Sequence, residues 1–145
     1  MPLRAARPLA SALLASIPLA PCVAAGDRAP VAYTVVDGAS IPEPLGGLAG
    51  DAARGAAVAT DPERGNCLGC HGETAAPLPA LAAGRGAGRL RLAVVNLAIL
   101  DPGIADHAFY DVADLGEAPE ALVGTTRLTA QAVEDVVAWL RAGAE

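Results

Sequence analysis

Three residues near the middle of the chain have reactive side chains at a telling spacing: Cys67, Cys70 and His71, in the run Cys67-Leu68-Gly69-Cys70-His71. Two thiols separated by two residues and followed at once by a histidine form the attachment signature of a c-type haem. Thiols at this spacing reach the two vinyl groups of one porphyrin, and the imidazole that follows is carried onto the iron from one face. That chemistry implies an electron carrier. Two other uses of the pair fit less well. A structural zinc site takes four ligands and usually a second Cys pair, and none follows downstream. A thioredoxin-like dithiol sits near a strand-helix-strand pattern, which the residues around Gly65 lack.

The elements that must position these residues occupy a chain of 145 residues, one domain's worth. Its beginning reads as a secretory signal, residues 1–25. Arg4 and Arg7 make a positive head, Leu9 to Ala20 is apolar, and Val23-Ala24-Ala25 offers small residues for cleavage after Ala25. Pro18 interrupts the apolar run, which is short for a membrane span and argues against an uncleaved anchor. Pro21 before Cys22 argues against a lipid anchor on that cysteine. The expected compartment is periplasmic, outside the cytoplasm, where thiols are managed against oxidation. Cleavage removes Cys22 and leaves Cys67 and Cys70, with no spare pair for a structural disulfide.

Cleavage also changes the charge from −6 to −8, because 16 acids then face 8 arginines and the chain contains no lysine. So acidic a surface excludes nucleic acid as a partner. Hydrophobic residues make up 53% of the chain but aromatics only 3%, so the core is built from small Ala, Val and Leu side chains. A core that thin leaves room for a porphyrin and predicts a poorly folded apo form.

After the signal, residues 26–49 read as an extended arm, with Pro30, Pro42, Pro44 and several glycines and at most one short strand at Val31-Ala32-Tyr33-Thr34-Val35-Val36. Residues 50–145 form the haem domain. A helix is expected from the N-cap Asp51 to about Ala59, and Gly55 within it marks a close helix crossing. After the haem loop at Gly65 to His71, the Pro- and Gly-rich stretch from Pro77 to Gly88 has little room for regular structure. The apolar block from Leu90 to Leu100 is compatible with a buried helix or a strand; the all-α context favours a helix ending before Pro102. Thr129 is the expected N-cap of a terminal helix with Val133, Val136, Val137 and Leu140 on one stripe and Trp139 packed near Gly55.

In order and spacing, Val31-Ala32-Tyr33-Thr34-Val35-Val36-Asp37, Ile41-Pro42-Glu43-Pro44-Leu45, Gly50-Asp51-Ala52-Ala53-Arg54-Gly55 and Arg64-Gly65-Asn66-Cys67-Leu68-Gly69-Cys70-His71 resemble the monohaem SoxX subunit of the sulfur-oxidising SoxAX cytochromes. Leu128-Thr129-Ala130-Gln131 and Val133-Glu134-Asp135-Val136-Val137-Ala138-Trp139-Leu140 extend the resemblance to the C-terminus. It implies an all-α fold, a class I cytochrome c-like small helical domain around one covalent haem c. It also implies a larger SoxA-like partner in a heterodimer, which holds the sulfur chemistry of an L-cysteine S-thiosulfotransferase-type complex. There thiosulfate is joined oxidatively to a carrier-protein cysteine, and this chain is the electron exit toward a downstream acceptor. The arm from Val31 to Leu48 is then either a segment that wraps the partner, being extended and proline-fixed, or a solvated tail.

One departure from that family matters most. Its members carry a distal methionine in a Met-Pro-x-aromatic-Tyr stretch, where this chain has Asp106-His107-Ala108-Phe109-Tyr110. The only methionine is Met1, which leaves with the signal. His107, the only histidine besides His71, is the leading candidate for the sixth iron ligand. Asp106, or an empty or water-filled position, are the competitors. Pro79 matches the proline whose carbonyl accepts from the proximal histidine in related cytochromes, and is otherwise a turn residue.

Two further functions stay open at this point: a haem-based protein that binds or senses a small ligand, and a free-standing monohaem shuttle for another redox enzyme. Independent catalysis has no support, because no Ser-His-Asp set is present and iron claims both histidines.

Overall fold

The computed structural model describes residues 30–72, 78–104, 107–111 and 126–144. The proposed signal peptide, Asp106 and all the residues between Asp111 and Thr126 lie outside them. Within the described residues the protein is all-α: α1 Ala52–Thr60, α2 Cys67–His71, α3 Leu78–Ala82, α4 Ala87–Asn96 and α5 Ala130–Ala142, with short 3-10 turns at Leu45–Gly47 and Leu97–Ile99. No helix among the described residues is long and apolar enough to cross a membrane.

Helices α1 and α5 begin where their caps dictate. The Asp51 side chain accepts from the N–H of Arg54 at 2.8 Å, and Thr129 Oγ1 accepts from the N–H of Ala132 at 3.1 Å. Each satisfies an N–H that the first helical turn leaves without a partner. The two helices cross at Gly55, where a Cβ would run into the carbonyl of Asp135 and lie 2.8 Å from Trp139 Cβ. Gly55 is therefore glycine for contact between backbones, as its place inside a helical run predicts.

Helix α4 ends earlier than the apolar block does. Asn96 is extended, and its side chain accepts from the N–H of Ala98 at 3.0 Å, which caps the following 3-10 turn instead of continuing the helix. The stretch from Val31 to Val36 is not a strand; the only pairing there is a single bridge between Val36 and Ser40. Nor is the arm a loose tail throughout. Ile41 and Leu45 are each 1% exposed and join the core with Leu92, Val95, Val133 and Val136. Val31 and Val36 remain exposed.

Candidate functional site

Helix α2 is just over one turn long, and it places Cys67, Cys70 and His71 at i, i+3 and i+4, on one face. Asn66 starts it from a left-handed backbone conformation, φ 48°, and Gly69 lies so close to the Asn66 side chain that a Cβ there would strike it. The glycine inside the motif thus lets the turn close on its own cap. Both cysteines are free thiols, Cys67 half-buried and Cys70 exposed. Burial pushes the Cys67 thiol above its ordinary pKa of 9.0.

Cys67 and His71 open onto a cavity of about 370 Å³ whose walls are mostly apolar, with Leu90, Val94, Val136 and Leu140 among the residues supplied by α4 and α5. That volume is within the range of cofactor sites, roughly 300–1,000 Å³. His107 lines the same cavity. Its position is fixed through the backbone: the His107 carbonyl accepts from the N–H of Leu97 at 2.9 Å, and the N–H of Phe109 donates to the Val95 carbonyl at 3.1 Å. The loop carrying the histidine is thereby tied to one N–H and one carbonyl at the early end of α4.

The rings of His71 and His107 have their centroids 6.2 Å apart and their planes at 78°. Metal–imidazole bonds of about 2 Å, with the distance from nitrogen to ring centre added on both sides, place two rings about 6 Å apart across one ion. Among the described residues Nδ1 of His107 is buried without a hydrogen-bond partner, an arrangement that costs free energy unless a bound group organises the ring. Burial holds the imidazole below its ordinary pKa of 6.5, the His71 and Arg127 charges push the same way, and the carbonyls of His107 and Ala93 oppose them. The ring is kept neutral, the form that binds metal.

A bare ion is a poorer match to these residues. Among the described residues no three His, Cys, Asp or Glu side chains converge to hold one, whereas a haem brings four nitrogens of its own and needs only the two axial groups from protein. Arg85 and Arg89 also line the cavity and make no ion pair among the described residues. Two cations beside an apolar space suit a group with an apolar body and acidic side arms. The residues present therefore fit a haem.

No protein-family model matches the sequence, and no curated protein sequence matches it either. A solved structure does: one chain of SoxXA from P. pantotrophus is 27% identical and aligns with a TM-score of 0.66, covering 78% of this chain and 95% of that chain. The chain is a structural relative of SoxXA. The likeness bears out the resemblance read from the sequence and, with the helices described, the class I cytochrome c-like fold.

Within this SoxXA-like fold the motif residues and His107 come together, as their order along the chain allows. Pro79 lies in α3, and Asp106 is outside the described residues. Four site residues were not legible in advance: Phe109, edge to face with His107 at 4.9 Å; Arg127, 5.2 Å over the Phe109 ring; and the arginines Arg85 and Arg89. A signal for the two arginines existed in their spacing, four residues apart beside an apolar block in a chain with so few cations.

Proposed function

We propose that this protein is an exported, periplasmic monohaem c-type cytochrome, the electron-carrying subunit of a SoxAX-like complex that oxidatively joins thiosulfate to a carrier-protein cysteine. The observation that carries the reading is the pair of imidazoles, 6.2 Å apart in one cavity that Cys67 also lines. The structural likeness to SoxXA supports the partner assignment, a larger SoxA-like cytochrome.

Bound in this cavity, one haem c takes up and passes on one electron at a time. Cys67 and Cys70 would hold it covalently, and His71 and His107 would ligate its iron. Pro79 supplies the carbonyl that accepts from the second nitrogen of His71 and so fixes its tautomer. Leu90, Val94, Val136 and Leu140 exclude water around the group, which shifts its potential through the local dielectric. Replacing a family methionine by His107 lowers the potential, since thioether ligation raises it.

The test is the mass and the absorption spectrum of the chain matured in a host competent for cytochrome c assembly. One haem added to the mass, and a low-spin spectrum in both oxidation states without the iron–thioether charge-transfer band, are expected. His107→Ala converts the ferric form to high spin. An unmodified mass sinks the haem assignment, and a wild type already high-spin sinks ligation by His107. Co-purification with a larger cytochrome encoded beside it tests the complex.

A further inference from the structure

The ring plane of His107 is not free to turn at will, and the cause lies outside the His71–His107 pair. Backbone hydrogen bonds hold the chain around His107: Leu97 N–H to the His107 carbonyl at 2.9 Å, Phe109 N–H to the Val95 carbonyl at 3.1 Å, Tyr110 N–H to the same carbonyl at 3.2 Å, and Leu128 N–H to the Phe109 carbonyl at 2.9 Å. What the backbone leaves open is the rotation of the imidazole about its last torsion, which is intrinsically broad. Phe109 closes it. Its ring stands at 83° to the imidazole with centroids 4.9 Å apart, the edge-to-face geometry that aromatic pairs prefer. Phe109 is in turn capped on its face by the Arg127 guanidinium at 5.2 Å, a distance at which the cation and the ring attract.

We propose that Phe109 is a positioning residue that holds His107 crossed with His71, so that the iron of this protein carries two axial imidazoles with nearly perpendicular planes. The inference rests on the two-histidine ligation proposed above. When both rings contain the axial direction, the 78° between their planes is the torsion between the ligands. Each imidazole donates electron density through the orbital normal to its ring, and so raises whichever of the two iron dπ orbitals points the same way. Parallel rings raise the same orbital and split the pair. Crossed rings raise one orbital each and leave the two almost equal in energy.

Two properties follow. A near-degenerate pair retains orbital angular momentum, so ferric low-spin iron shows one very large g value instead of a rhombic set of three. The ferric state also loses the stabilisation that splitting gives, so the potential is higher than for the same ligands held parallel. Phe109 thereby recovers part of the oxidising power that exchange of methionine for histidine removes.

Electron paramagnetic resonance on the frozen ferric holoprotein tests this, with absorption spectra of the same samples to report spin state. Wild type is expected to be low-spin with the single large-g signal, and Phe109→Tyr to retain it. Phe109→Leu is expected to remain low-spin while its signal moves to the rhombic set and its potential falls. A low-spin wild type with a rhombic signal overturns the crossed geometry and leaves two-histidine ligation standing, whereas a high-spin wild type overturns both. Phe109→Leu with an unchanged signal removes the role given to Phe109. If that variant does not take up haem, Arg127→Gln, altering an exposed side chain, is expected to show a mixture of the two signals, and an unchanged spectrum there counts against the proposal in the same way.

Discussion

Arg91 and Glu134 close a forked ion pair, Nε to Oε1 at 2.7 Å and Nη2 to Oε2 at 2.9 Å, with both side chains only 4% exposed. The remaining capacity of each group is spent on the arm. Arg91 Nη1 donates to the carbonyls of Ile41 at 2.6 Å and Pro42 at 3.1 Å, and the N–H of Leu45 donates to Glu134 Oε1 at 2.8 Å. One pair of charges thus joins α4, α5 and the second half of the arm. Its geometry is the bidentate form in which guanidinium and carboxylate interact most strongly.

Breaking that pair from one side leaves a charge buried without compensation. Glu134→Gln or Arg91→Met is expected to destabilise the holoprotein by about 3–5 kcal/mol, a large part of a domain's total stability. The double variant Arg91→Met/Glu134→Leu is expected to lose much less, since neither charge then remains. Guanidinium-induced unfolding of the three variants measures this, and equal losses in the singles and the double would contradict it.

Gly55→Ala inverts the usual helix rule. In an exposed helix the change gains about 1 kcal/mol, but here the added methyl meets the Asp135 carbonyl and Trp139 Cβ. The helices must part, and the expected result is a loss of about 1–3 kcal/mol, the range for overpacked contacts. Trp139 also lines the cavity, so its fluorescence should change together with stability. A stabilised Gly55→Ala protein would show that the crossing yields easily.

What could be read beforehand divides along physical lines. Asp51, Thr129 and Gly55 act through local rules, a cap or a missing side chain, and the structure uses them as their types predict. The face shared by Cys67, Cys70 and His71 follows from spacing alone, although nothing in the loop forecast that α2 would be helical. Arg91 and Glu134 were invisible as partners because a buried ion pair joins residues 43 positions apart and leaves no periodic trace. Arg91 does stand between Leu90 and Leu92, which is the one available hint. Asn96 was hidden for a different reason: a single polar residue in an apolar block looks like a tolerated exception until its side chain takes up the next N–H. Docking of Ile41 and Leu45 depended on that same ion pair, so the arm could not be placed before the pair was known.

Acid stability is expected to turn on Asp135. Burial raises its pKa, but hydrogen bonds from Arg54, the N–H of Asp51 and Gln131 outweigh burial and bring it below the ordinary 3.8. A depressed carboxylate contributes stability that is fully present above its unfolded value and is lost as pH falls through the folded one. The unfolding midpoint in urea should therefore be insensitive to this group from neutrality down to about pH 4–5 and fall below that. Asp135→Asn is expected to be less stable at neutral pH and to show a shallower decline in acid. A variant whose acid limb matches the wild type would assign the acid sensitivity to other carboxylates.

Removing the covalent attachment tests how much of the fold depends on a filled cavity. Among the largest fully buried side chains only Tyr110 is aromatic, and the others are mostly Val, Leu and Ile, so little bulk is available to close a space of about 370 Å³ between α3, α4 and α5. Apolar walls left facing water cost about 25 cal/mol for each Å² that the missing group would have covered, a sizeable share of the about 5–15 kcal/mol that stabilises a whole domain. The Cys67→Ala/Cys70→Ala chain is therefore expected to lose its cooperative unfolding transition and to be cleaved quickly by protease, first in α3, which is a single short turn on the cavity wall. Helices α1 and α5, joined through Gly55 and the Asp135 hydrogen bonds, should keep the strongest residual protection against hydrogen exchange. A variant that unfolds at the same denaturant concentration as the holoprotein would mean that the helices pack without the group, and that the cavity is a property of the chain alone.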